Sequence, residues 1–256
     1  MDRVRRAPVA LALVATTASA DHEHHHTSAE VEDSSVTASL GVLAASYSAR
    51  LFEGDYQGVS FAGAWSYGRF EVGASVVGYQ IDRNGKRYRG AGDVMVHGTA
   101  RLYERGRATA GAHVMVMVPS GDDDLGVGMG HWMVMTAGWA AWSHRLAALG
   151  AAVGYARGIG GAAAHAEHGG GAWPLVDPMT YSEVTYDANA MVPVANAVAV
   201  GAGVVGAIPN EGDTRMIGAA RFRWRRGPVE TMLEAQAGIA GDPVRYRGML
   251  TTSVTF

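Results

Sequence analysis

The chain has 256 residues, with 21 Lys and Arg against 24 Asp and Glu and a formal charge of −3, a balance that excludes the basic face of a nucleic-acid binder. Cysteine is absent, which excludes a disulfide framework and a lipidated N-terminal cysteine. Gly at 35 residues against Pro at 8 disfavours long helices and suits many short strands.

Residues 1–20, MDRVRRAPVALALVATTASA, place Arg3, Arg5 and Arg6 before an apolar run from Ala7 to Ala15 and end on Ala18, Ser19 and Ala20. This is the layout of a secretory signal peptide, too short to cross a bilayer as a helix. Residues 21–34 are expected to be a disordered periplasmic tail. Its DHEHHH stretch gathers His22, His24, His25 and His26, a composition that chelates Cu, Ni or Zn with little geometric selectivity. No later run of 18 apolar residues predicts a membrane helix.

From Ser35 the hydrophobic period becomes 2. Twelve alternating segments follow, at about 35–50, 55–67, 69–81, 90–104, 106–118, 131–143, 145–158, 180–190, 194–208, 213–225, 228–240 and 245–256. The odd connections are the larger ones: LFEG, DRNGKRYR, SGDDDLGVGMG, GIGGAAAHAEHGGGAWPLVDPM, NEGD and GDPV. The even ones are tight, at Gly68, Arg105–Gly106, His144, Pro193 and Arg226–Gly227. Long loops alternating with short turns predict an all-β, up-and-down antiparallel transmembrane β-barrel of about 12 strands over residues 35–256, with both termini in the periplasm.

The outward-facing sets support a membrane wall. They read Val59, Phe61, Trp65 and Tyr67 in the second segment, Val94, Val96 and Leu102 in the fourth, and Tyr246, Leu250, Val254 and Phe256 in the last. Trp132 and Trp142 share a face, and ten tilted residues separate them by roughly 23 Å along the membrane normal, close to the height of an apolar band between aromatic girdles. A water-soluble sandwich alternates too, but the signal peptide, the loop alternation and the aromatic end favour the barrel. An outward alternating strand ending on Phe256 resembles the terminal signature of bacterial outer-membrane barrels. That resemblance implies outer-membrane lipid and the barrel assembly machinery as partners.

The opposite faces carry the charges: Asp93, His97, Thr99 and Arg101, then Glu183, Thr185, Asp187 and Asn189, then Arg215, Arg221 and Arg223, then Glu230, Glu234 and Gln236, then Arg245 and Arg247. Facing lipid near the midplane, each charge would cost roughly 2–4 kcal/mol, so an ion-paired lumen is expected. Segments four to six differ, with Met95 and His97, then His113, Met115 and Met117, then His131, Met133 and Met135 turned inward. A hairpin turning at Arg105 would set His97 opposite His113 and Met95 opposite Met115. Thioether and imidazole are ligands for Cu(I), so copper or another transition metal is an expected guest, with no cofactor required. Met also serves as a pliable filler. Elsewhere His165, Glu167 and His168 lie in the seventh connection, and Asp122, Asp123 and Asp124 in the fifth, where a solvated acid run fits better than an EF-hand loop.

No G-x-S-x-G or HExxH motif occurs. Ser143 and His144 adjoin at a tight turn without the neighbouring Asn that an outer-membrane phospholipase would need, so no catalysis is expected. The stretch VPSGDDDLGVGMGHWMVMTAGWAAW at 118–142 resembles the outer-membrane transporters of the MetA-pathway of phenol degradation family, through Pro119, Ser120, Gly121, Asp122, Gly128, Gly130, His131 and Trp132. The resemblance implies passage of small, often hydrophobic solutes and no catalytic residues. The sequence is therefore read as an outer-membrane channel or transporter for small solutes, with soft-metal handling as a refinement. The alternative is a non-conducting structural or metal-binding barrel.

Overall fold

A computed structural model describes residues 34–48, 53–83, 85–123, 125–160 and 179–256. Residues 1–20, expected as a signal peptide, residues 21–33 with their four histidines, Asp124, His165, Glu167 and His168 lie outside the described residues. The described chain forms β1 (Ser34–Ser48), β2 (Glu53–Tyr67), β3 (Phe70–Arg83), β4 (Lys86–Ala91), β5 (Val94–Arg105), β6 (Ala108–Val118), β7 (Trp132–His144), β8 (Ala147–Ile159), β9 (Ser182–Ala195), β10 (Val198–Pro209), β11 (Arg215–Arg226), β12 (Val229–Ala240) and β13 (Val244–Thr255).

Neighbouring strands pair antiparallel, and β1 pairs with both β2 and β13, so the sheet closes into a barrel. At the seam Val36 and Phe256 exchange backbone hydrogen bonds of 2.8 and 3.2 Å. Thr37 meets Thr255 at 3.0 Å, and Ser39 donates to Ser253 at 2.9 Å. Closure pairs the first and last strands, as a bilayer demands of strands exposed to it, and only the short β4 keeps a single partner among the described strands.

The wall has twelve strand positions because β4 and β5 share one. β3 pairs with β5 over Phe70–Ser75 and with β4 over Gly78–Arg83. The segment expected as one strand over 90–104 is therefore two, broken at Gly92 and Asp93. Gly92 donates its amide to Val77 at 2.7 Å, and a Cβ there would stand 2.7 Å from the Tyr79 ring, so a larger residue at the kink would have to displace that ring. The break shifts the side-chain parity, turning Gly90 and then Asp93 and Met95 inward. DRNGKRYR, expected as a loop, instead extends the β3–β4 hairpin, with Asp82 paired to Arg87 around Gly85 at φ 76°.

Short turns close the other end. Gly68, Gly106 and Gly227 take φ values of 57°, 62° and 58°, which a two-residue hairpin needs and other residues resist. Two expected turns are displaced. His144 ends β7, and Arg145 and Leu146 make the turn. Pro193 stays within β9, paired with Ala199 beside a bulge at Val194, where a residue without an amide hydrogen is tolerated.

Alternation sends Phe61, Trp65, Val96, Leu102, Trp132, Trp142, Tyr246 and Phe256 to the outside, where all are exposed. In water so broad an apolar belt would be costly; against acyl chains it is the favourable surface.

Candidate functional site

The lumen carries the chemistry, and its two arcs differ. Along β9–β13 it is ionic. Arg215 binds the Glu183 carboxylate, which also accepts the Thr180 amide at 2.9 Å and its hydroxyl at 2.8 Å. Arg221 Nε lies 2.5 Å from Glu234, and its other end is 3.9 Å from Asp187. Gln236 bridges Glu234 to Arg247, accepting from Arg247 Nε at 2.8 Å. Burial forces this pairing, because a carboxylate or guanidinium alone in a narrow lumen would remain poorly solvated. Farther toward the short turns, Glu230 pairs in register with Arg225 and feels the charges of Arg223 and Arg225.

Three residues expected in this network lie elsewhere. Arg101 donates to the Gly68 carbonyl at 3.2 Å and sits 3.4 Å from Glu104, at the turn end. Arg245 is the extra residue of a bulge opposite Ser46 and Tyr47 and is exposed, because the bulge flips the parity and buries Val244 in its place. Asp93 binds no arginine among the described residues. Its buried carboxylate accepts the amides of Ser120, Gly121 and Met129 at 3.0, 2.8 and 2.7 Å.

Those three amides belong to the 119–130 loop, which folds into the barrel. Val127 packs with Leu43, Tyr47, Tyr56, Val77 and Ile81 from β1–β3, while Met129 packs with the methionines of β5–β7. The loop thus joins two apolar clusters that fill its end of the lumen. Its turn is internally fixed: Asp122 accepts the Val127 and Gly128 amides on its carbonyl and the Leu125 amide on its carboxylate. This use of Asp122 matches a turn-forming acid run rather than a calcium loop. Backbone packing is close enough that a Cβ on Gly128 would stand 2.6 Å from the Gly121 carbonyl carbon.

The soft arc is inward as expected. Met95, Met115, Met117, Met133 and Met135 are each at most 4 % exposed, and His97 and His131 are also buried. The expected facing pairs are displaced by two residues: Met95 faces Met117, His97 faces Met115, and Thr99 faces His113. The cause is a turn at Gly106 and Arg107 together with a bulge at Leu102, which preserves the face but shifts the partner. His97 and His113 stack diagonally with ring centroids 5.8 Å apart, and His113 Nδ1 is 2.9 Å from the Thr99 hydroxyl. His131 Nδ1 lies 2.6 Å from the Met129 carbonyl. Among the described residues no three His, Asp or Glu side chains converge on a metal position.

Leu125, Val127, Met129 and Met179 were not among the expected lumen residues. The signal for the first three is in the sequence: Leu125, Val127, Met129, His131, Met133 and Met135 continue one period-2 series from the loop into β7. Ser143 and His144 end β7 beside the Arg145–Leu146 turn. His144 Nδ1 accepts the Leu146 amide at 3.4 Å and its ring stacks on Trp142, which makes it part of the turn.

Comparison with solved structures bears on this architecture. An outer membrane channel from Pseudomonas putida F1 superposes with a TM-score of 0.64 over 91 % of this chain and 100 % of its own, at 13 % identity. The chain is a barrel of the outer-membrane kind. The translocator domain of the autotransporter NalP from Neisseria meningitidis gives 0.52 at 10 % identity over 91 % of this chain and 90 % of its own. The KdgM porin gives 0.52 at 8 % identity over 87 % and 99 %. At the level of sequence no family model and no curated protein matches. The resemblance of residues 118–142 to the MetA-pathway family therefore stands on those residues alone.

Proposed function

We propose that the chain is an outer-membrane channel for small solutes whose lumen is narrowed by the 119–130 loop. The observation that carries this reading is the loop itself: a closed barrel with an apolar exterior holds, inside its charged lumen, a segment whose backbone is gathered on the Asp93 carboxylate, with Ser120 bonded to the Val94 amide and Val127 and Met129 packed on the wall. A barrel needing only rigidity could fill that space with wall side chains. A segment whose polar anchorage centres on one buried carboxylate has a focal contact that can yield. The likeness in fold to a channel and a porin supports the same class. On this reading residues 1–20 export the chain, residues 21–34 and the short turns face the periplasm, β13 with Phe256 engages the assembly machinery, and no catalytic role is assigned.

A second reading, a non-conducting structural barrel, is favoured by the ion-paired arc and by a cavity of only about 60 Å³ beside Met115, Met135, Glu183, Arg215 and Val244, room for a few waters. Planar-bilayer recording separates the two. The channel reading expects discrete current steps, larger or more frequent for Asp93→Ala, in which three amides lose their acceptor. No current at any voltage from either protein would leave the structural reading.

A further inference from the structure

We infer that the methionine arc of the lumen is a binding site for a soft monovalent cation of the Cu(I) and Ag(I) class. The inference goes beyond the channel reading, because an ion can be held there whether or not the barrel conducts.

Register makes the array. Across β5, β6 and β7, Met95 faces Met117, which faces Met133, and in the next inward row His97 faces Met115, which faces Met135. Directly opposed residues on one face have Cβ atoms about 5 Å apart, and the unbranched Met side chain can swing its sulfur toward a common point. Barrel curvature brings inward-pointing tips closer than their Cβ atoms. Met129, from the inward loop, packs on the same cluster, so the rows are capped as well as lined by sulfur.

The chemistry is selective in kind. Thioethers do not hold Mg or Ca but are ligands for soft ions, and among the described residues no triad of carboxylates and imidazoles offers a Zn-type donor set beside them. His97 is 8 % exposed, and its Nδ1 is buried with no hydrogen-bond partner, while Nε2 lies 3.6 Å from Glu71. A buried ring nitrogen beside the sulfur rows is the kind of donor a soft ion would complete.

Packing alone accounts poorly for the residue choice. The same three strands place Val94, Val96, Val114, Val116 and Val134 on the outer face and sulfur or imidazole on the inner one. Apolar filling by Leu or Val would fix the interior with fewer rotamers. Instead seven of the chain's 12 methionines meet in this one cluster.

Silver(I) is the probe, since it needs no reductant. The full chain carrying alanine at His22, His24, His25 and His26 is loaded with Ag(I), desalted and analysed for silver per barrel, with folding followed by heat-modifiable gel migration. About one tightly retained Ag(I) is expected, with at least a tenfold loss of affinity in Met95→Leu/Met117→Leu/Met133→Leu and no loss in Met191→Leu. No retained silver in the parent, or unchanged affinity in the triple variant, would overturn the site. Should the triple variant fail to fold, Met117→Leu alone must weaken binding, and X-ray absorption of the loaded parent must show a silver–sulfur path; absence of either overturns it. Bilayer current is read separately, so loss of the channel reading and loss of the metal site are distinct results.

Discussion

At the residue scale, single buried groups carry disproportionate weight. Arg221 serves two carboxylates, Glu234 at 2.5 Å and Asp187 at 3.9 Å, so Arg221→Met leaves both without their cation. Destabilisation of about 3–5 kcal/mol is expected, measured by urea unfolding in lipid vesicles. Asp93→Ala strands three amides and is expected to cost about 1–3 kcal/mol in the same assay, beside its effect on current. Asp242, in the turn between β12 and β13, has its pKa raised from 3.8, chiefly by burial, against the opposing pull of the Val244 amide and of Arg215 and Arg247. A raised carboxyl binds its proton more tightly folded than unfolded. Its contribution to stability is full below the unfolded value and is lost as pH rises through the folded one. Asp242→Asn should therefore raise the unfolding midpoint at pH 7 relative to the parent and flatten its change between pH 7 and pH 4. A parent that is no less stable at pH 7 than the variant would contradict this sign. The inward or outward sense of Met95, Met115 and Met133 was legible from alternation, which needs no knowledge of partners. The fate of Asp93 was not, because the amides that donate to it lie 27 to 36 residues away.

At the element scale, strands are legible and their breaks are less so. Period 2 locates the twelve wall positions, though not the split of one of them into β4 and β5, since one face must meet lipid and the other the lumen. Bulges at Leu102, Val194 and Arg245 and the kink at Gly92 change partner or parity without changing composition. Such irregularities moved the expected pairing of His97 from His113 to Met115, and put Arg245 outside the lumen. The 119–130 loop shows the complementary case. Its inward set, Leu125, Val127 and Met129, keeps the strand period, but whether a Gly-rich loop extends outward or folds in depends on close backbone approach. Gly128→Ala places a methyl against the Gly121 backbone and should displace the loop. The expected result is a loss of about 1–3 kcal/mol, with increased proteolysis confined to residues 119–130 on digestion of vesicle-bound protein. A variant as resistant as the parent would show that the loop docks without this contact.

At the scale of the whole molecule, the two faces of the sheet have opposite solvents, and this is directly measurable. Val114 is an outward residue near the middle of β6, 42 % exposed in the absence of lipid. Val114→Arg should destabilise the barrel by roughly 2–4 kcal/mol in vesicles if that position lies at the bilayer midplane. In a water-exposed wall the same change would be nearly neutral. Closure at Val36 and Phe256 joins the two ends of the described chain, so the first and last strands depend on each other and on all those between. The sequence by itself determined the strand period, the wall count, the outward aromatic belt and the inward methionines of β5–β7, because these follow from local alternation against two unlike solvents. Only the tertiary structure decided which carboxylate meets which arginine, that Asp93 holds a loop, and that Met95, Met117 and Met133 share one row. Those facts depend on register, bulges and chain crossing the lumen, and one inserted residue changes them while leaving the hydrophobic pattern intact.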